Sequence, residues 1–155
     1  MKILFLDIDG VLNSRKFFES QRAIRKSSSY EWKETDDIDP ESVRHLNHLL
    51  KETGAKIVIS SSWRVGKTVD ELRDLAAIVG INSSLVIGKT TCAHVQGGRG
   101  AEIREWVKEH KDIDKFLILD DDDFDMEEMI DFMIKTDSTV GLTKEQAILA
   151  CNILK

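Results

Sequence analysis

Along this chain, short runs of apolar residues alternate with stretches whose apolar positions recur at helical spacing. The first run, Ile-Leu-Phe-Leu at 3–6, reads as a buried strand. Asp39-Pro40 then supplies an N-cap and a proline at the first helical position. Val43, Leu46, Leu49 and Leu50 form one face of that helix, and Gly54 marks its stop. A second strand is predicted at 56–59. Thr68-Val69-Asp70-Glu71 is a capping box opening a helix that stops near Gly80. A third strand is predicted at 85–87, a helix at 100–110 with Ile103, Trp106 and Val107 on one face, a fourth strand at 116–119 and a fifth at 132–134. Thr143-Lys144-Glu145-Gln146 is another capping box, opening a last helix through Leu149, Ile153 and Leu154.

Strands that alternate with helices predict βαβ units and a parallel sheet. Strands apolar on both faces agree, because helices cover such sheets on both sides. The predicted fold is therefore α/β: a Rossmann-like three-layer α/β/α sandwich around a five-stranded parallel sheet, in one domain spanning 1–155. The segment 14–38 reads as a loop or flap within it, with the polar run Arg25-Lys26-Ser27-Ser28-Ser29 as a mobile loop.

Composition narrows the class. A charged fraction of 32% suits a well-hydrated globular protein. A net charge of −6 argues against a general nucleic-acid-binding surface but leaves room for a local basic patch. Cys92 and Cys151 are too few for a disulfide framework and are expected as reduced thiols in a cytoplasmic protein. The apolar start runs straight into aspartates, unlike a signal peptide, and no apolar run reaches transmembrane length, so no membrane association is expected.

In open parallel sheets ligands bind beyond the carboxyl ends of the strands. The first strand ends in Asp7-Ile8-Asp9-Gly10-Val11-Leu12-Asn13, the second in Ser60-Ser61-Ser62-Trp63-Arg64, and the fourth in Asp120-Asp121-Asp122-Asp123-Phe124-Asp125. With the first strand central and flanked by the second and fourth, these ends converge. Clustered carboxylates repel one another, and a hard divalent cation such as magnesium relieves that repulsion through oxygen ligands. An aspartate can also be a nucleophile toward phosphorus, with a second carboxylate moving the proton. The bland readings are turn-capping carboxylates for Asp7 and Asp9, a solvated acidic helix start for 120–125, and turn chemistry for the serines.

These residues resemble the motifs of the haloacid dehalogenase (HAD) superfamily of phosphotransferases. Asp7-Ile8-Asp9-Gly10-Val11 matches the first motif, Ser60 or Ser61 the second, with Ser61 preferred, and Arg99 the third, with Lys89 as the competing basic residue. Asp121-Asp122-Asp123-Phe124-Asp125 matches the fourth, with Asp120 where the family carries glycine. Within the superfamily, Ile-Ser-Ser-Ser-Trp-Arg, the spacing of Arg99, Glu102, Ile103 and Trp106, and Gly141-Leu142-Thr143 resemble the domains named for Swiss Army Knife RNA repair proteins.

The resemblance implies a magnesium-dependent phosphomonoester hydrolase. Asp7 would be the nucleophile and Asp9 the general acid and base. Ser61, Ser60 and Arg99 would bind phosphate. Mg2+ would sit on Asp7, Asp121, Asp120 and the Asp9 main-chain carbonyl. Asn13, Arg64 and Asp125 are further candidates for substrate contact. No segment is long enough for a folded cap, so an open site would suit a substrate with its own bulk, a nucleic-acid end or a protein, or a small nucleotide with 15–33 as a flap. In 15–33, Arg15, Lys16, Arg22, Arg25, Lys26 and Lys33 are interleaved with Phe17, Phe18, Tyr30 and Trp32, a mixture suited to nucleic acid or, equally, to a helical hairpin packing its phenylalanines on the core. The competing function class is a non-catalytic receiver-like signalling module. Its phosphoacceptor aspartate would end the third strand, where this chain has Gly88-Lys89-Thr90. A catalytically silent phosphatase fold and a small-metabolite phosphatase are the remaining alternatives.

Overall fold

The computed structural model describes residues 1–27, 29–92 and 98–155. Five strands, β1 (Lys2–Leu6), β2 (Lys56–Ile59), β3 (Val86–Lys89), β4 (Lys115–Asp120) and β5 (Met133–Lys135), form one parallel sheet in the order β3-β2-β1-β4-β5. β1 is central, as the convergence of strand ends requires. The chain winds outward from β1 to β3, then returns to lay β4 and β5 on the other side. The direction of winding therefore changes between β1 and β4, and the crevice where ligands bind in such sheets lies at their carboxyl ends.

Alternation along β1 feeds two cores. Leu4 and Leu6 pack with α2 (Pro40–Thr53), α3 (Val69–Ile78) and α5 (Lys144–Leu154) through Leu46, Leu49, Leu72 and Leu154. Ile3 and Phe5 face the opposite side, against α4 (Gly98–Glu109) and the segment after β4, through Ile103, Trp106 and Met126. Phe5 meets the Trp106 ring edge-on, with centroids 5.5 Å apart. The predicted caps form. The Asp39 carboxylate accepts the Glu41 N–H at 2.9 Å, Gly54 ends α2 in a left-handed conformation, and Thr68 and Thr143 make capping boxes with Glu71 and Gln146.

Three expectations need correction. The segment 15–33 is not a plain loop: α1 spans Arg15–Arg25, capped by Ser14 Oγ on the Phe17 N–H, and a 3-10 turn follows at Glu34–Asp37. No residue of α1 is buried, so its amphipathic pattern marks a surface helix and not one packed into the core. Phe17 is half-buried and Phe18 is exposed, so neither is a core anchor. Ser28, within the expected loop at 25–29, lies outside the described residues. The third strand begins at Val86 because Asn82 caps a 3-10 turn at Ser83–Leu85, and the fifth begins at Met133 after a 3-10 turn at Ile130–Phe132. Among the described residues, no helix is long and apolar enough to cross a membrane. Cys92 is exposed, Cys151 is buried, and both are free.

Candidate active site

β1 extends one residue past its last side chain of the core. The Asp7 N–H donates to Leu119 O at 3.0 Å, which holds Asp7 beside the end of β4 and leaves it only 4% exposed. The chain then turns sharply, with the Leu12 N–H on Ile8 O at 2.8 Å. Gly10 sits at the bend with φ +79°, and a Cβ there would overlap the Asp121 carboxylate. Its carbonyl accepts from the buried Thr136 hydroxyl at 2.7 Å. Nothing in the sequence signals that bond, which comes from a residue just beyond β5.

The turn presents Asp9 to solvent at the mouth of the crevice. Asn13, buried, donates to Asp9 Oδ1 at 2.8 Å and accepts the Gly10 N–H at 2.9 Å. The indole Nε1–H of Trp63 donates to the same Asp9 oxygen at 3.1 Å. Asn13 therefore holds the turn together through both ends of its amide.

Below Asp9, carboxylate oxygens of Asp7, Asp120 and Asp121 all lie within 4.8 Å of one another. Burial pushes the Asp7 carboxyl up to about 7. The neighbouring charge of Asp120 adds to this, while Arg99, the Ile8 N–H and the Ser61 hydroxyl oppose it. Burial, with Asp120, also raises the Asp121 carboxyl, against a hydrogen bond to Asp7. Asp120 is fully buried and satisfied on both oxygens, by the Asp122 N–H at 3.0 Å and Arg99 Nη1 at 2.6 Å. Arg99 Nη1 also stands 3.5 Å from Asp7 Oδ2. Three hard oxygen donors packed this closely around one arginine are a donor set that can hold a divalent cation. The Asp9 carboxylate is not part of this cluster, because Asn13 and Trp63 hold it at the mouth.

Ser61 ends β2 with its hydroxyl against the Asp7 carboxylate, and the same Oγ accepts the Trp63 N–H at 3.2 Å. Ser60 Oγ is buried without a partner among the described residues. Of the two basic candidates, Arg99 reaches the carboxylates. Lys89 is turned away onto the carbonyls of Arg64 and Lys67.

Two candidates for substrate contact have other work. Arg64 is buried and spends all five guanidinium N–H groups internally, on the carbonyls of Ser60, Ser61, Thr90 and Thr91 and on Glu102 Oε2. It is a clamp between the ends of β2 and β3 and α4. Asp125 adopts a left-handed conformation at φ 58°, accepts the Gly100 N–H at 3.1 Å, and packs so closely on Gly98 and Gly100 that neither tolerates a Cβ. The two glycines seat the first turn of α4 on Asp125, which places Arg99 between them.

The crevice opens into a pocket of about 320 Å³ lined by Asp9, Gly10, Asn13, Ser14, Arg15, Phe18, Asp121 and Ser138. A shallow groove of about 470 Å³ continues along α1, lined by Arg15, Phe18, Glu19, Arg22, Arg25 and Lys26. Arg15 and Phe18 belong to both. Arg25 is spent on Asp36 O and Asp37, and its guanidinium lies 5.6 Å over the Phe18 ring.

A model of the family described as the HAD domain in Swiss Army Knife RNA repair proteins matches residues 3–147. No curated protein and no solved structure matches the chain.

Proposed function

We propose that this chain, which belongs to the family of HAD domains in Swiss Army Knife RNA repair proteins, is a magnesium-dependent phosphomonoester hydrolase acting through an aspartyl-phosphate. The family points to hydrolase chemistry of the phosphatase type and to Mg2+ as its metal. The observation that carries the reading is the pairing of two differently held carboxylates, Asp7 buried against Asp120, Asp121, Arg99 and Ser61, and Asp9 two residues on, exposed at the mouth.

In this reading an Asp7 oxygen attacks phosphorus, the bond from phosphorus to the ester oxygen breaks, and Asp9 gives its proton to the departing oxygen. Asp9 then takes a proton from water as that water attacks the phosphoaspartate. The acyl-phosphate P–O bond breaks, Asp7 is restored and inorganic phosphate leaves. Ser61 and Arg99 hold the non-bridging oxygens, where charge stabilisation matters most. Asp7, Asp120 and Asp121 would hold Mg2+, which offsets the charge of a phosphate placed among carboxylates. Their hard oxygen donors suit that ion.

We further propose nucleotide or polynucleotide ends as the substrate. The family description names RNA repair, and the open mouth runs into the basic, aromatic groove of α1. The exposed free thiol of Cys92 suits a reducing, cytoplasmic setting. Phosphate release from an aryl phosphate tests the chemistry. Activity is expected with Mg2+, is expected to vanish with EDTA and in Asp7→Asn, and labelled substrate is expected to leave phosphate on Asp7. Full turnover by Asp7→Asn would overturn it.

A further inference from the structure

Asp9 is the only carboxylate at the mouth whose orientation is set by two neutral donors on a single oxygen among the described residues. Asn13 Nδ2 approaches Oδ1 at 2.8 Å and Trp63 Nε1 at 3.1 Å, and no described donor reaches Oδ2. A carboxylate oxygen that accepts two N–H groups cannot also carry a proton toward either of them. The two oxygens of Asp9 are therefore inequivalent: Oδ1 is the anchored acceptor, and Oδ2 is free to face the pocket that Asp9 lines.

Trp63 is placed to make this anchor rigid. It lies in a 3-10 turn, Ser62–Arg64, whose N-cap is Ser61, and its own backbone N–H donates to Ser61 Oγ at 3.2 Å. Its carbonyl accepts from Lys67 Nζ at 3.1 Å, and its ring packs on the apolar core beneath. The adjacent Arg64 fixes the same turn through the carbonyls of Ser60 and Ser61. One residue thus touches the hydroxyl that meets Asp7 with its backbone, and the carboxylate of Asp9 with its side chain.

We infer that Trp63 is a positioning residue for proton transfer. Its indole N–H, together with Asn13, reserves Asp9 Oδ1 as acceptor, so the proton given to the leaving oxygen and taken from water travels on Oδ2. This rests on the assignment of Asp9 as acid and base. A group that only orients the acid affects the step in which the acid acts. Its loss should therefore be felt by esters whose leaving oxygen needs a proton and be nearly silent for those whose leaving oxygen departs as a stable anion.

Trp63→Phe keeps the aromatic packing and deletes the N–H. The experiment compares kcat/KM for an alkyl phosphate and for p-nitrophenyl phosphate in wild type, Trp63→Phe and Asp9→Asn, with thermal melting of each. The expected result is a loss of about 10² or more for Asp9→Asn on the alkyl ester and about tenfold for Trp63→Phe, with less than about threefold loss on the nitrophenyl ester for Trp63→Phe. Equal losses on both esters would make Trp63 a structural residue and overturn the inference, as would no loss on either. Should Trp63→Phe fold poorly, Asn13→Ser, which weakens the other donor to Oδ1, must show the same selectivity, and failure there overturns it too. Wild type lacking Mg2+-dependent phosphate release would instead bring down the phosphatase reading itself. An Asp9→Asn variant without leaving-group selectivity would remove Asp9 as the acid, and the inference with it.

Discussion

Arg64 donates a 2.6 Å hydrogen bond to Glu102, and that pair ties the strand end carrying Ser61 to the helix carrying Arg99. Both side chains are largely buried, and burial pushes the Glu102 carboxyl up against the opposing pull of Arg64 and Arg99. Removing one partner of such a pair strands the other. Arg64→Met is therefore expected to destabilise the protein by about 3 kcal/mol. The double variant with Glu102→Gln should recover part of the loss, because the abandoned carboxylate is gone. Urea unfolding of wild type, Arg64→Met, Glu102→Gln and the double variant measures the coupling. Turnover of Arg64→Met should also drop, since two phosphate-binding candidates lose their common brace.

Gly10 is a second point where geometry allows little freedom. Its φ of +79° disfavours any L side chain, and the Asp121 carboxylate occupies the space of a Cβ. Gly10→Ala is expected to cost about 1–2 kcal/mol from the backbone alone. It should also displace Asp121 and so weaken Mg2+ binding. A melting curve shows the first effect. The second appears as a smaller Mg2+-induced rise in melting temperature than wild type gives. An equal rise in both proteins would mean that Asp121 is not at the metal.

Asp7 links stability to pH in the metal-free protein. Its carboxyl lies near 7 in the folded state against an ordinary value of 3.8. Between those values the folded protein holds a proton that the unfolded chain gives up, so this group's contribution to stability falls as pH rises through the window. Asp7→Asn lacks that contribution. In EDTA, its melting temperature is expected to gain on that of wild type steadily from about pH 4 to about pH 7. A constant difference across that range would contradict the burial argument. Turnover of the same variant is expected to be abolished.

Much of this architecture was legible because strands and helices were both written in burial. The four-residue apolar runs of β1 and β4 and the capping boxes of Thr68 and Thr143 register directly in hydrophobic pattern and cap chemistry. The aspartates of the first and fourth strand ends were legible for the opposite reason, since charge at the end of a buried strand is costly unless something compensates it. α1 carries an amphipathic pattern but buries none of its residues, so the sequence leaves a helical hairpin and a flap equally open. In one dimension Arg64 reads equally as a substrate contact or as a packing and ion-pair residue, and Asp125 as a substrate contact or part of a solvated acidic helix start. Their partners, Glu102 and the glycines flanking Arg99, are brought to them by the fold. Thr136 gave no signal at all, being 126 residues from the carbonyl it holds.

The groove along α1 offers the sharpest test of the substrate. Arg22 and Lys26 line it, are exposed, and form no ion pair among the described residues, whereas Arg25 is committed to Asp36 and Asp37. Arg22 and Lys26, not Arg25, are therefore the residues to neutralise. A polynucleotide whose terminal phosphate reached Asp7 would lay its backbone along this groove, exchanging counterions for the two cations. Arg22→Gln/Lys26→Gln is expected to lower kcat/KM for an end-phosphorylated oligonucleotide by about tenfold at low salt, through KM rather than kcat. The salt dependence, plotted as log of affinity against log of salt, should flatten by about 1.4 for two lost contacts on a single strand. Hydrolysis of an aryl phosphate should stay within about twofold of wild type, because it engages only the carboxylate crevice. A structural helix would give a different signature, with both substrates losing together as α1 frays. Oligonucleotide turnover unmoved by the double variant and by salt would place the nucleic-acid strand elsewhere and leave the groove without a polyanion to bind.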